Sequence, residues 1–170
     1  MMNKIENAVD YGISLVGTPY KLWRGGPCEK KEPMWAENGP VPKKDKITSC
    51  NCAGLINLIL RFSGKPIPAR SQFEMGGTPD YEYVYKKKSI PIDINYNYHI
   101  GTLLVRNYRN YEDQGHVAMI IENKGKNSKI LQSHYYKPTS DNGVNIKYTL
   151  EESHNGYYYE YAVLPENWLL

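Results

Sequence analysis

The chain has 170 residues, 41% hydrophobic and 23% charged, a balance that argues against disorder and fits one domain able to bury roughly two-thirds of its unfolded surface. Its 21 Lys and Arg against 18 Asp and Glu leave +3, too small and dispersed an excess to indicate nucleic acid. No stretch approaches the roughly 20 apolar residues of a membrane span, and an odd count of cysteines, Cys28, Cys50 and Cys52, favours free thiols over a disulfide framework.

Lys4 to Val16 places Ile5, Ala8, Val9, Gly12 or Ile13, and Val16 at helical spacing, an amphipathic helix ended by Gly17-Thr18-Pro19. Glu6 and Asp10 interrupt it, so it lacks the continuous apolar core of a secretion signal. A soluble protein is expected, either cytoplasmic or delivered with a virus or phage particle. A long loop or flap is expected over about residues 21–49, which hold Gly25-Gly26-Pro27, Pro33, Gly39-Pro40 and Pro42. Next comes a helix beginning near Cys52, with Asn51 or Ser49 as its cap and Gly64 and Pro66 as its stop. Within it Asn57 and Arg61 are the polar exceptions among Leu55, Ile56, Leu58, Ile59, Leu60 and Phe62, so it is buried nearly all round and is the central helix.

Arg70 to Gly77 reads as a short helical piece followed by a Pro-punctuated link, and Tyr85 to Lys88 as a solvated basic face. Strands are predicted at 101–108, 116–122, 129–135, 144–150 and 157–164, with Asn142-Gly143 as a hairpin signal. Sixteen tyrosines against two phenylalanines suit a Tyr-rich β surface. The fold class is α+β in a single domain spanning 1–170, helices first and antiparallel sheet after.

A cysteine in the first turn of a helix sits among unpaired N–H groups at the positive end of the helix dipole. That place lowers the thiol pKa and supplies donors to an oxyanion. Cys52, followed by Ala53-Gly54-Leu55, holds it, while Cys50 falls in the approaching loop. A thiol nucleophile needs a base. His116 opens the second strand behind Gly115 and shares a face with Ala118 and Ile120; from the face covering the central helix its ring can reach the thiol. Gln132 and His134, two apart on the third strand, can each orient that ring. His99 and His154 read as loop residues. Two bland alternatives stand beside this reading: Cys52 as a small buried hydrophobe, and Cys28, Cys50 and Cys52 with one His as a zinc set, for which Cys-x-Cys is too tight a spacing.

Four blocks, in order, resemble the NlpC family of cell-wall cysteine peptidases and amidases, a compact branch of the papain-like fold. "GTPYKLWRGG" is similar to its opening segment, "NCAGLINLILRFSGKPIPARSQFEMG" to its nucleophile block, "HIGTLLVRN" to the strand that follows, and "GHVAMIIENKGKNSKILQS" to its base block. The resemblance implies a central N-terminal helix packed on a five- to six-stranded antiparallel sheet. It implies Cys52 as nucleophile, His116 as base, Gln132 as third residue with His134 as fallback, and Tyr20 near substrate or oxyanion. The substrate it implies is a peptide or peptidoglycan-like amide, with no cofactor and no metal. Asn51, Ala53, Thr102 and Gln132 depart from the family's usual residues, which bears on substrate rather than on the nucleophile. The same machinery could serve a lipid acyl, thioester or isopeptide bond, or persist in an inactive structural module of a virus or phage.

Overall fold

The computed structural model describes residues 2–23, 34–135 and 142–170, and among them α1 (Met2–Ser14) and α2 (Cys52–Phe62) pack together on one face of a sheet. Asn51 caps α2, its Oδ1 accepting from the Gly54 N–H at 2.6 Å. From Cys52 to Arg61 every residue is buried, as expected of a helix apolar on nearly all sides. The two polar exceptions bind backbone. Asn57 Nδ2 donates to the Gly76 carbonyl at 2.8 Å, and its Oδ1 accepts from the Tyr81 hydroxyl at 2.7 Å. Arg61 donates to the carbonyls of Met34 (2.5 Å), Gly39 (3.0 Å) and Pro40 (2.6 Å).

Arg61 thereby fastens the second half of the expected flap to the helix. Trp35 and Ala36 are fully buried, and the Trp35 indole lies over Gly54, where an added Cβ would stand 2.6 Å from the ring. Trp35 is therefore a core residue. Residues 24–33, Cys28 among them, lie outside the described residues.

Beyond α2 the structure departs from the sequence reading. The expected helical piece is a hairpin, β1 (Ala69–Ser71) with β2 (Glu74–Met75), and the expected link is a helix, α3 (Thr78–Tyr85). Pro79 does not break α3 because the first turn of a helix makes no use of its missing N–H. The buried Asp80 carboxylate reaches back to the Gly77 N–H at 2.9 Å and accepts from Arg70 Nε at 2.9 Å, joining helix to hairpin.

The main sheet contains β3 (Ile90–Pro91), β4 (Leu103–Arg106), β5 (His116–Ile120), β6 (Ile130–His134), β7 (Gly143–Asn145) and β8 (Tyr161–Val163), in the order β3-β8-β4-β5-β6-β7 with every pair antiparallel. Lys86, Lys87 and Lys88, the basic run, are exposed. The last two predicted strands are too long. β7 stops at Asn145, β8 starts at Tyr161, and α4 (Leu150–Tyr157) lies between them. Thr149 caps α4, while Glu152 Oε1 accepts from the Thr149 N–H at 3.1 Å. His154 is thus a helix residue and not a loop residue. The architecture is α+β, with four α-helices, a six-stranded antiparallel sheet and a small second sheet among the described residues.

Strand alternation divides the core. Val105, Val117, Met119 and Leu131 pack with α1 and α2, whereas Leu104, Ala118, Ile120 and Ile130 pack with Leu150 and Tyr159 on the opposite side. Outside β7 the backbone of Gly17 and Thr18 pairs with Val144 through two 2.9 Å hydrogen bonds, and Tyr20 then bridges to Cys50. No helix among the described residues is long and apolar enough to cross a membrane.

Gly54→Ala tests the Trp35 contact. Helix propensity alone would stabilise this substitution by about 1 kcal/mol, but the indole leaves no room for the methyl. A net loss of about 1–3 kcal/mol in urea unfolding is expected; a gain would mean that Trp35 does not occupy that space.

Candidate active site

Cys52 is the first residue of α2 and is 7% exposed. Backbone N–H groups of Val117, Ala53 and Cys52 itself favour its thiolate, but burial outweighs them and the thiol pKa is raised. This corrects the expectation that the helix end would lower it: at neutral pH Cys52 rests as a thiol. Cys50 differs in access. It is fully buried, its thiol is pushed up to about 12 by burial, and its carbonyl accepts from Lys21 N–H and Ser133 Oγ.

His116 begins β5 immediately after Gly115, whose φ of +76° and close approach to the Arg106 carbonyl, 2.4 Å from an added Cβ, leave no alternative to glycine. The ring is buried, with Nε2 2.8 Å from Gln132 Oε1. A carbonyl oxygen opposite Nε2 places the proton there and leaves Nδ1 as the free base. Burial lowers the His116 pKa to about 3, against the Gln132 hydrogen bond that raises it, and nearby His134 lowers it further. The ring is therefore neutral.

The fallback residue His134 takes a different partner, its Nδ1 meeting the Tyr157 hydroxyl. Gln132 is the side chain that meets the imidazole.

One orientation differs from the sequence reading. His116 shares its strand face with Ala118 and Ile120, which pack away from α2. The thiol approaches instead at the end of β5, where the N–H of Val117, the next residue, points at sulfur. Cys52 and His116 line one cleft of about 250 Å³, together with Tyr20, Tyr135 and Tyr157. A second cleft, walled by Trp23, Arg70, Phe73, Thr78 and Tyr108, also opens on Cys52 and Tyr20. Tyr20 is half-buried with its ring 5.4 Å from that of Tyr135, and burial keeps its hydroxyl protonated. Among the described residues no three His, Cys, Asp or Glu side chains gather as a metal-binding group.

Tyr157 was missed in the sequence. Its ring stacks on the His116 imidazole with centroids 3.6 Å apart and planes 3° from parallel. Thr149-x-x-Glu152 is a capping-box signal for a helix running up to it, in a stretch where the sequence reading has a loop at His154 and a strand from 157. No protein-family model, curated protein or solved structure matches the chain.

Two measurements probe the site. The folded-state pKa of His116 lies below its ordinary value of 6.5, so the stability it contributes is whole above about pH 6.5 and is lost as pH falls towards 3. Unfolding free energy is expected to fall by about 1 kcal/mol per pH unit over that window, and by less in His116→Gln. An identical slope in both proteins would exclude a buried neutral ring. Second, Tyr157→Leu removes the stacked plane and opens His116 to water, so the imidazole pKa read by NMR should rise by more than a unit. The Phe replacement, which keeps the stack, should leave it near the native value.

Proposed function

We propose that the protein is a cysteine hydrolase of papain-like architecture that cleaves an amide bond, with peptidoglycan stem peptides as the substrate class. The observation that carries this reading is a helix-end thiol and a Gln132-anchored imidazole on the wall of one cleft. The four-block resemblance supports the choice of substrate.

The neutral resting pair fixes the order of events. When a carbonyl carbon reaches Cys52 Sγ, His116 Nδ1 takes the thiol proton as the S–C bond forms. Negative charge moves to the carbonyl oxygen, for which the Cys52 N–H at the α2 terminus and the Tyr20 hydroxyl are the available donors. His116 returns the proton to the leaving amine as the C–N bond breaks. Water then attacks the thioester with His116 as base, releasing the acid and restoring the thiol. Gln132 holds the ring throughout without titrating. A second reading, with the same pair acting on an acyl or thioester bond, draws on the exposed Leu22 and Phe73 at the cleft rim.

Purified protein incubated with peptidoglycan fragments should generate new termini by mass spectrometry. Cys52→Ala should abolish them, and His116→Ala should slow their formation by about 10²–10⁴. Because the thiol pKa is raised, the native protein's iodoacetamide alkylation rate at Cys52 should climb steadily from pH 6 to 9. Full activity in Cys52→Ala would overturn the assignment. Turnover of acyl thioesters without any new peptide terminus would favour the second reading.

A further inference from the structure

Behind the base lies a cavity of about 400 Å³ that the proposed hydrolysis does not use. It is separated from the Cys52 cleft by Tyr135 and Tyr157, which line both. Its size is that of a small-molecule site, and its walls are aromatic. Tyr148 and Tyr157 flank the His134 ring, each with centroids 5.6 Å from it, tilted at 56° and 86°. Tyr135 adds a further ring, and Gln132 also lines the space. Three tyrosine rings and one imidazole thus make up half of the residues that line the space.

Among the lining residues one side chain is an anion: Glu152, which is on the solvent-exposed side of α4. The Thr149 N–H, and then its hydroxyl, lower the carboxyl pKa, so it is charged at neutral pH. Both Thr149 bonds fall on Oε1, at 3.1 and 3.0 Å, and a carboxylate has roughly four acceptor positions, so capacity remains for a ligand. Lys129, whose charge acts weakly on this carboxyl, donates its ammonium to the Lys147 carbonyl and does not line the cavity.

Aromatic faces around an anion suit a bulky, weakly hydrated cation. A primary ammonium is strongly hydrated and needs several acceptors in place of its water. An alkylated ammonium needs mainly π faces and one counter-charge. We propose that this cavity binds an alkylated ammonium group, with Tyr135, Tyr148 and Tyr157 as its cage and Glu152 as its counter-ion. The same chemistry is presented by a free organic cation and by a choline lipid headgroup. The proposal does not depend on the hydrolase reading.

The test is calorimetric titration of the full native chain with choline and with 3,3-dimethylbutan-1-ol, an uncharged isostere. Saturable binding of choline at one site per chain is expected, with the alcohol at least about tenfold weaker. Tyr148→Leu and Glu152→Gln should each weaken choline by about five- to tenfold. Both residues lie outside the proposed catalytic set, so an unchanged Cys52 alkylation rate reports an intact fold. Sedimentation with phosphatidylcholine vesicles, lost in Glu152→Gln, would assign the headgroup as source, and choline binding without sedimentation would assign a free cation. Equal affinity for the alcohol, or absence of saturable choline binding to the native chain, would overturn the proposal.

Discussion

Helix α2 is covered on every side along the stretch from Cys52 to Arg61, and a polar group in such a helix must find its partner inside the protein. Each does so by holding a different piece of chain. Asn57 ties in the Gly76 turn and Tyr81 of α3, while Arg61 gathers the carbonyls of the segment carrying Trp35. The hairpin and α3, which wall one cleft, and the Trp35 segment are therefore positioned by the helix that carries the thiol. Cys52 lies at the end of this arrangement, where covering is interrupted by the two clefts.

The same burial sets the chemistry of the pair. Three backbone N–H groups act on the Cys52 sulfur without overcoming its loss of water, and one amide oxygen does not keep His116 protonatable near neutrality. An ion pair of thiolate and imidazolium would carry two charges into a poorly solvated space, at a desolvation cost that their attraction often fails to offset. The neutral pair avoids this cost. The plane of Tyr157 against His116 matters here, since an uncharged ring held by a single hydrogen bond is otherwise free to pivot about it.

Much of this was legible in the residues. The apolar run from Leu55 to Leu60 could only be a buried helix, with Asn51 or Ser49 as its cap, although Phe62 at its end is exposed. Gly115 before His116 marked a strand end, and period-two alternation put Gln132 and His134 together. What was hidden depends on context. Whether His116 looks toward α2 or away from it depends on which sheet face each helix covers, and a single strand's alternation is silent on that. The choice between Gln132 and His134 rested on a helix beyond β7, because Tyr157 occupies His134. Pro79 punctuates a link in the sequence reading, although it sits in a helix's first turn, where proline is tolerated. The thiol's pKa was misjudged for a related reason: a dipole can be inferred from a helix end, but the amount of solvent left around it cannot.

The segment before Tyr20 has one more effect. Gly17 and Thr18 occupy the hydrogen-bonding edge of β7, and the opposite edge, β3, is two residues long and ends in Pro91. Unguarded edges invite strands from other molecules. To add a strand at β7, an incoming chain would have to peel away Gly17 and Thr18, and with them the anchor that sets Tyr20 beside Cys52. Self-association through that edge and an assembled cleft are thus mutually exclusive states of one molecule, and an aggregate grown there would lack the cleft from its first added strand.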